Sequence, residues 1–302
     1  MEFRLRQCSK CFKQIVDASE IVYDKLQFTW TYVDKVASVT IEPIAHYVKR
    51  KSFQTSSVMD YSHINSALQF LEMLLKIHSR IRINQLIIRL DYARINSIVY
   101  ENEPEYLECK KQIRHHLKQI LTQFEEQLAV SELSTNSDRD AEDVLAVLPY
   151  LKPGTLWSIK IWNSNAVSCT EINGTGIDLS KIAETEQWKQ ARYLDLGMFT
   201  NSLPREKTAH FLTMTYRVRL LELEEVKYTV ENFLRENGWS YRRIRFDAFN
   251  FHGIPEYLSQ FEIVDREHEM DAHRFKMTIG HGGYKCIISQ NGHLNCMIFN
   301  AL

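Results

Sequence analysis

Ile64, Ala67, Leu68, Leu71, Leu74 and Leu75 recur at steps of three and four, which puts them on one face of a helix with Ser62 as its N-cap. Behind this helix, Leu86, Ile88 and Leu90 alternate with Gln85, Ile87 and Arg89, as a half-buried strand requires. The pattern returns to helical from Pro104 to Phe124, with proline at the first turn, where its missing N–H costs nothing. A short strand from Leu128 to Leu133, a turn over Ser134 to Ser137 and a helix from Asp140 to Leu148 follow. Pro149-Tyr150-Leu151-Lys152-Pro153-Gly154 then forbids further helix.

Trp157, Ile159 and Ile161 alternate with Ser158, Lys160 and Trp162 in the next predicted strand. Residues 164–178 read as a loop, and Ser180 to Ala191 as a helix. Leu194, Leu196 and Met198 point one way in a further strand. A short helix after Pro204 precedes the strand Tyr216, Val218, Leu220, and the helix Glu224 to Arg235 precedes the strand Ile244, Phe246, Ala248.

Helices between strands are the connections that parallel pairing needs. The six strands recur roughly every 20–45 residues, the period range of solenoids. The expected fold class is α/β, with irregular strand–helix repeats stacked into a curved, leucine-rich-repeat-like solenoid. The signature L-x-x-L-x-L-x-x-N is not cleanly present, so a doubly wound sheet is the rival; no Gly-rich turn between a strand and its helix supports that rival. The ends differ. Residues 26–50 hold two or three β-rich runs around Glu42-Pro43, and residues 273–299 read as antiparallel strands with Asn291-Gly292 as a hairpin turn. Expected segments are 1–17, a helix; 18–60, a β-rich cap; 61–270, the repeat domain; and 271–302, a C-terminal hairpin.

Charge changes this picture little. Lys+Arg 37 against Asp+Glu 38 gives a formal net charge of -1, which argues against a nucleic-acid binder. Gly 10 and Pro 6 are too few for long flexible linkers. No apolar run follows the N-terminal Met1, and no stretch reaches the ~18 apolar residues of a membrane span. The expectation is an intracellular protein, cytoplasmic or nuclear, without a membrane partner.

Candidate chemistry is sparse. Cys8 and Cys11 form a lone C-x-x-C without the second ligand pair that zinc needs. His268 and His273 are five apart, where helical ligand pairs use three or four. Gly174-Thr175-Gly176 lacks the third glycine of a dinucleotide fingerprint, and the P-loop, nucleophile elbow and H-E-x-x-H motifs are absent. Neither metal nor cofactor is expected, and a non-enzymatic role is the leading reading. A dispersed catalytic site around Asp195, His210, Asp247 and His252 is the competing one.

Three segments carry a resemblance. They are Val144-Leu145-Ala146-Val147-Leu148-Pro149-Tyr150-Leu151-Lys152-Pro153-Gly154-Thr155-Leu156-Trp157-Ser158-Ile159, then Glu186-Gln187-Trp188-Lys189-Gln190-Ala191-Arg192-Tyr193-Leu194, then His210-Phe211 ahead of a strand and the helix Glu224 to Arg235. In this order and spacing the chain resembles the FTH domain, also called domain of unknown function thirty-eight, which follows an F-box in many nematode proteins. The likeness covers roughly residues 60–270. Leu5 to Asp17 is similar to the last helix of an F-box, with Leu5, Cys8, Phe12 and Ile15 on its apolar, adaptor-docking side.

The resemblance implies a substrate-recruiting domain of a cullin-type ubiquitin ligase. Because the chain as written starts at Met1, most of the F-box is missing and docking to a Skp-type adaptor is expected to be weak or absent. An interaction protein without ligase docking is the alternative within this reading. The expected contact residues are outward-facing strand positions: Arg89, Lys160, Trp162, Tyr193, Arg217, Arg219, Arg243 and Arg245. Tryptophan, tyrosine and arginine dominate interface hot spots, and the basic weighting suggests an acidic protein partner.

Overall fold

A computed structural model describes residues 21–33, 36–44, 51–54, 61–76, 81–92, 104–124, 126–137, 141–162, 178–200, 205–220, 224, 228, 242–250, 265–267, 272–279, 282–289 and 293–299. The chain divides into two compact units. One comprises residues 1–136 and 142–156; the other comprises 137–141 and 157–302.

The first unit contains β1 (Ile21–Val33), β2 (Val36–Ile44), β3 (Lys51–Gln54), α1 (Tyr61–Lys76), β4 (Ile81–Tyr92), α2 (Pro104–Thr122), β5 (Ala129–Asn136) and α3 (Glu142–Leu145). Its sheet runs β3-β2-β1-β4-β5. β1 pairs β4 in parallel and β4 pairs β5 in parallel, while β2 and β3 add antiparallel. The N-terminal β-rich segment is therefore part of the sheet: Leu26, Phe28 and Trp30 on β1 register with Leu86, Ile88 and Leu90 on β4. All six are buried, as are Ile64, Leu68, Leu71 and Leu75 on the apolar face of α1.

Several sequence expectations are corrected here. Ile87 is buried although it lies on the opposite face from Leu86 and Ile88, so that face is covered at Ile87 while Arg89, two residues on, is exposed. α1 begins at Tyr61, which puts Ser62 inside the helix and not at its cap. The helix expected over 140–148 shortens to α3 and a 3-10 turn at Leu148–Tyr150, because Pro149 cannot supply the N–H that a continuing helix needs.

The Pro149–Gly154 segment is used to dock, not merely to stop. Leu151 bridges Leu128: the Lys152 N–H donates to the Leu128 oxygen at 2.9 Å, and the Gln127 amide donates to the Pro149 oxygen at 3.0 Å. Gly154 takes φ 78°, a left-handed conformation that a side chain disfavours.

The second unit contains β6 (Ser158–Trp162), α4 (Ser180–Ala183), α5 (Glu186–Gln190), β7 (Tyr193–Thr200), β8 (Thr213–Leu220), β9 (Arg242–Asn250), β10 (Asp265–Glu267), β11 (Ala272–Ile279), β12 (Gly282–Ser289) and β13 (His293–Phe299). β6, β7, β8 and β9 are parallel and adjacent in chain order; β13, β12, β11 and β10 continue the sheet beside β9, antiparallel. β12 and β13 pair with Ser289 opposite His293, while the turn expected at Asn291-Gly292 lies outside the described residues.

The helix expected over 180–191 is two short ones. Thr185 leaves helical geometry, and its side-chain oxygen accepts from the Trp188 N–H at 3.3 Å, capping α5. Ile159, Ile161, Leu194, Leu196 and Met214 bury one face of the sheet, together with Ile182, Ala183, Trp188 and Phe211. The side chains of Val218, Leu220, Ile244 and Phe246, expected to extend this core, lie outside the described ones. The pairing of β7 with β8 shifts between Leu196 and Phe199, and the Met198 side chain, expected beside Leu196, lies outside the described ones.

Candidate interaction face

The opposite face of the second unit's sheet is set by register. Ser158, Tyr193, Thr213 and Arg243 form one row across β6, β7, β8 and β9. Lys160, Asp195, Thr215 and Arg245 form the next. Trp162 pairs Gly197, and beyond the β7 irregularity Arg217 pairs Asp247. Strand alternation gives these residues the face opposite the Ile159–Leu194–Met214 core. Arg219 lies on β8, two residues beyond Arg217.

Aromatic rings mark one end of this face. Trp162 is 42% exposed, and its ring lies over Gly197, where any Cβ would overlap it. Trp157 is 53% exposed and its ring centroid is 5.4 Å from that of half-buried Tyr193. Sequence alternation had assigned Trp157 to the inner face with Ile159. It precedes β6 by one residue, and the Arg192 and Tyr193 N–H groups donate to its oxygen at 2.9 and 3.0 Å. That irregular pairing releases the side chain from the strand period.

The Glu186-Gln187-Trp188 segment supports the face from beneath. Fully buried Trp188 donates its indole N–H to the Lys207 oxygen at 2.7 Å and meets Phe211 edge-on at 5.1 Å. His210 Nε2 donates to the Trp188 oxygen at 2.8 Å. Burial lowers the His210 pKa, the Trp188 oxygen raises it, and Arg192 adds to the lowering. Because a carbonyl oxygen can only accept, Nε2 carries a proton in this contact.

Of the dispersed catalytic candidates, Asp195 and Asp247 share the open face, His210 is committed to the Trp188 oxygen, and His252 lies outside the described residues. Leu5, Cys8, Phe12, Ile15 and Cys11 also lie outside, as does His268, whereas His273 sits on β11 opposite Ile288. Among the described residues, no three His, Cys, Asp or Glu side chains group as metal ligands. In the first unit Arg89 is exposed on β4.

One charged cluster escaped sequence reading. Lys110 on α2 meets Asp143 on α3 at 2.7 Å, and Arg114 approaches the other carboxylate oxygen at 3.6 Å. Lys110 also lies 5.8 Å from the Tyr106 ring centroid, and Tyr106 stacks on Trp30 at 5.2 Å. No local motif announces a pair of charges buried on separate helices.

The FTH domain family model matches residues 111–278, more than half of the chain. The chain belongs to the FTH domain family. No curated protein and no solved structure matches it. The FTH match takes in the Pro149–Gly154 turn, the Trp188 and His210 segments, every strand from β5 to β10 and β11 up to Thr278. All the aromatic and arginine positions of the open face therefore belong to the FTH region, while β1 to β4 precede it. Among the described residues, no helix is long and apolar enough to cross a membrane.

Proposed function

We propose that this FTH protein is a non-enzymatic protein-interaction module that presents the open face of β6 to β9 to a partner. The observation that carries the reading is the exposure of Trp157 and Trp162 beside Tyr193, opposite a face sealed by Ile159, Ile161, Leu194 and Leu196. Large aromatic rings left in water are costly unless a partner covers them, and tryptophan and tyrosine are the types most enriched in binding hot spots. The parallel strands of the second unit follow one another in chain order, which fits a solenoid-like stack offering a preorganised surface.

The resemblance of residues 5–17 is to a single helix of an F-box, so the reading is the interaction module itself, and docking to a Skp-type adaptor is a separate outcome of the test. The test is affinity purification with mass spectrometry on the wild type and on a Trp157→Ala/Trp162→Ala variant of matched stability. A partner recovered by the wild type and lost by the variant supports the module. Identical recoveries defeat it. The adaptor's presence in both recoveries separates a ligase receptor from a stand-alone binder.

A further inference from the structure

β6, β7 and β8 enter the sheet by the same irregular step. Leu156 and Ile159, Ala191 and Leu194, and Phe211 and Met214 are buried pairs three residues apart, where regular alternation would space them by two. The backbone bonds repeat with them. The Trp157 oxygen accepts from the Arg192 and Tyr193 N–H groups at 2.9 and 3.0 Å, and the Arg192 oxygen accepts from those of Leu212 and Thr213 at 2.8 and 3.3 Å. Two successive residues thus oppose one, as at a bulge. The residues added by this step, Trp157, Arg192 and Leu212, form a row ahead of Ser158, Tyr193 and Thr213 on strands ~4.8 Å apart.

Arg192 is the charged centre of this row. Its side chain is exposed, with exposed Trp157 on one neighbouring strand and half-buried Leu212 on the other. The lysines around it are held by glutamates: Lys189 by Glu186 at 2.8 Å, and Lys207 by Glu184. Among the described residues, Arg192 has no such ion-pair partner. Asp195, three residues on, stands in the row of Lys160 and Thr215, with the Ser158–Tyr193–Thr213 row between it and Arg192. The Arg192 charge is felt at His210, whose pKa it helps to lower.

We propose that Arg192 is a carboxylate-binding position, which takes one Asp or Glu side chain of a protein partner while an apolar residue beside that acid packs on Trp157. The inference rests on the interaction-module reading and adds the partner's chemistry at one residue. Charge complementarity is the first reason: the planar guanidinium fork matches a carboxylate through two parallel hydrogen bonds, and it sheds water more readily than an ammonium. The setting is the second. A partner seated on Trp157 and Leu212 excludes water from the arginine between them, and a charge pair strengthens as the local dielectric falls. Arginine and tryptophan side by side are also the pairing of types most enriched in hot spots. Phosphorylated segments are read by arginine clusters, whereas this row holds one cation.

The test is selection of a displayed random-peptide library on the full chain, wild type and Arg192→Glu in parallel, with fluorescence anisotropy on the enriched peptides. The wild type is expected to enrich an Asp or Glu next to an apolar residue. Arg192→Glu should weaken those peptides by about tenfold or more, and should itself enrich Lys or Arg at the same place. Arg192→Gln is the second variant should the reversed charge disturb folding. Saturating the wild type with its enriched peptide should also move the NMR titration of the His210 ring to higher pH, because the incoming carboxylate offsets the Arg192 charge. Enriched peptides that lack a carboxylate, need Trp157 and bind Arg192→Glu equally well would overturn the carboxylate site and leave the interaction module standing. Acidic peptides indifferent to both Arg192 variants, or a His210 titration unmoved by the bound peptide, would likewise overturn it. Failure to enrich any peptide on either protein would overturn both readings.

Discussion

Nζ of Lys110 lies 2.7 Å from Oδ2 of Asp143, and both side chains are almost wholly withdrawn from water. The contact fastens α2 to α3 and so positions the Pro149–Gly154 turn that follows. Arg114 supplies a second cation to the same carboxylate at 3.6 Å. A buried pair costs desolvation to form, yet losing one partner strands the other charge.

Asp143→Ala is therefore expected to destabilise the protein by about 3–5 kcal/mol. Lys110→Met/Asp143→Leu, which removes both charges and keeps apolar volume, should cost markedly less. Denaturant titration of the two variants against wild type checks this. A double variant at least as damaged as Asp143→Ala would show that the charges act independently.

His210 gives a pH dependence of defined sign. Burial lowers its folded pKa below the unfolded value near 6.5. The unfolded chain then takes up the proton first, so stability rises with pH through this window. His210's contribution is complete above pH ~6.5 and is lost as pH falls through the folded pKa. His210→Gln should flatten that part of the stability–pH curve relative to wild type. An unchanged slope in the variant would mean that other groups carry the acid sensitivity.

What the sequence revealed follows its periodicity. Ile159 and Ile161, and Leu194 and Leu196, alternate cleanly because each strand faces a core on one side, and all four are buried. Trp157 defied the same rule because its side chain leaves the ladder one residue too early. Thr185 was hidden inside an apparently continuous helix, since capping depends on backbone geometry and not on apolar spacing. The Lys110–Asp143 contact escaped for a different reason: it joins residues on separate helices that no local spacing relates. The turn chemistry of Pro149, Pro153 and Gly154 was legible, but its docking partner Leu128 was not.

Cys109 is buried on α2, and burial pushes its thiol pKa up to about 12. The thiolate is the reactive form, so well under ~1% of it is present at neutral pH. In the native protein Cys109 should resist alkylation by iodoacetamide and label only on unfolding. Peptide mapping by mass spectrometry distinguishes it from the other cysteines. Rapid native labelling of Cys109 would show that the first unit opens readily around α2.

On the proposed interaction face the Trp162 ring lies over Gly197. The Trp162 ring occupies the space where a residue other than glycine would place its Cβ, with ring atoms Cζ3 and Cδ2 only 2.9 and 3.0 Å from that position. The opposing backbone is held in the β6–β7 ladder, whereas Trp162 is at the end of its strand and already 42% exposed. Gly197→Ala should therefore displace the ring and leave the strand pairing intact. Trp162 fluorescence, isolated by subtracting the same substitution in a Trp162→Phe background, is expected to shift to the red and become more accessible to acrylamide. Global stability should fall by about 1–3 kcal/mol, the usual cost of forcing extra volume into a packed contact. Partner binding that depends on the ring over Gly197 should fall with it. Unchanged Trp162 emission in Gly197→Ala would mean that the ring does not rest on β7, and the aromatic end of the face would then reduce to Trp157 and Tyr193.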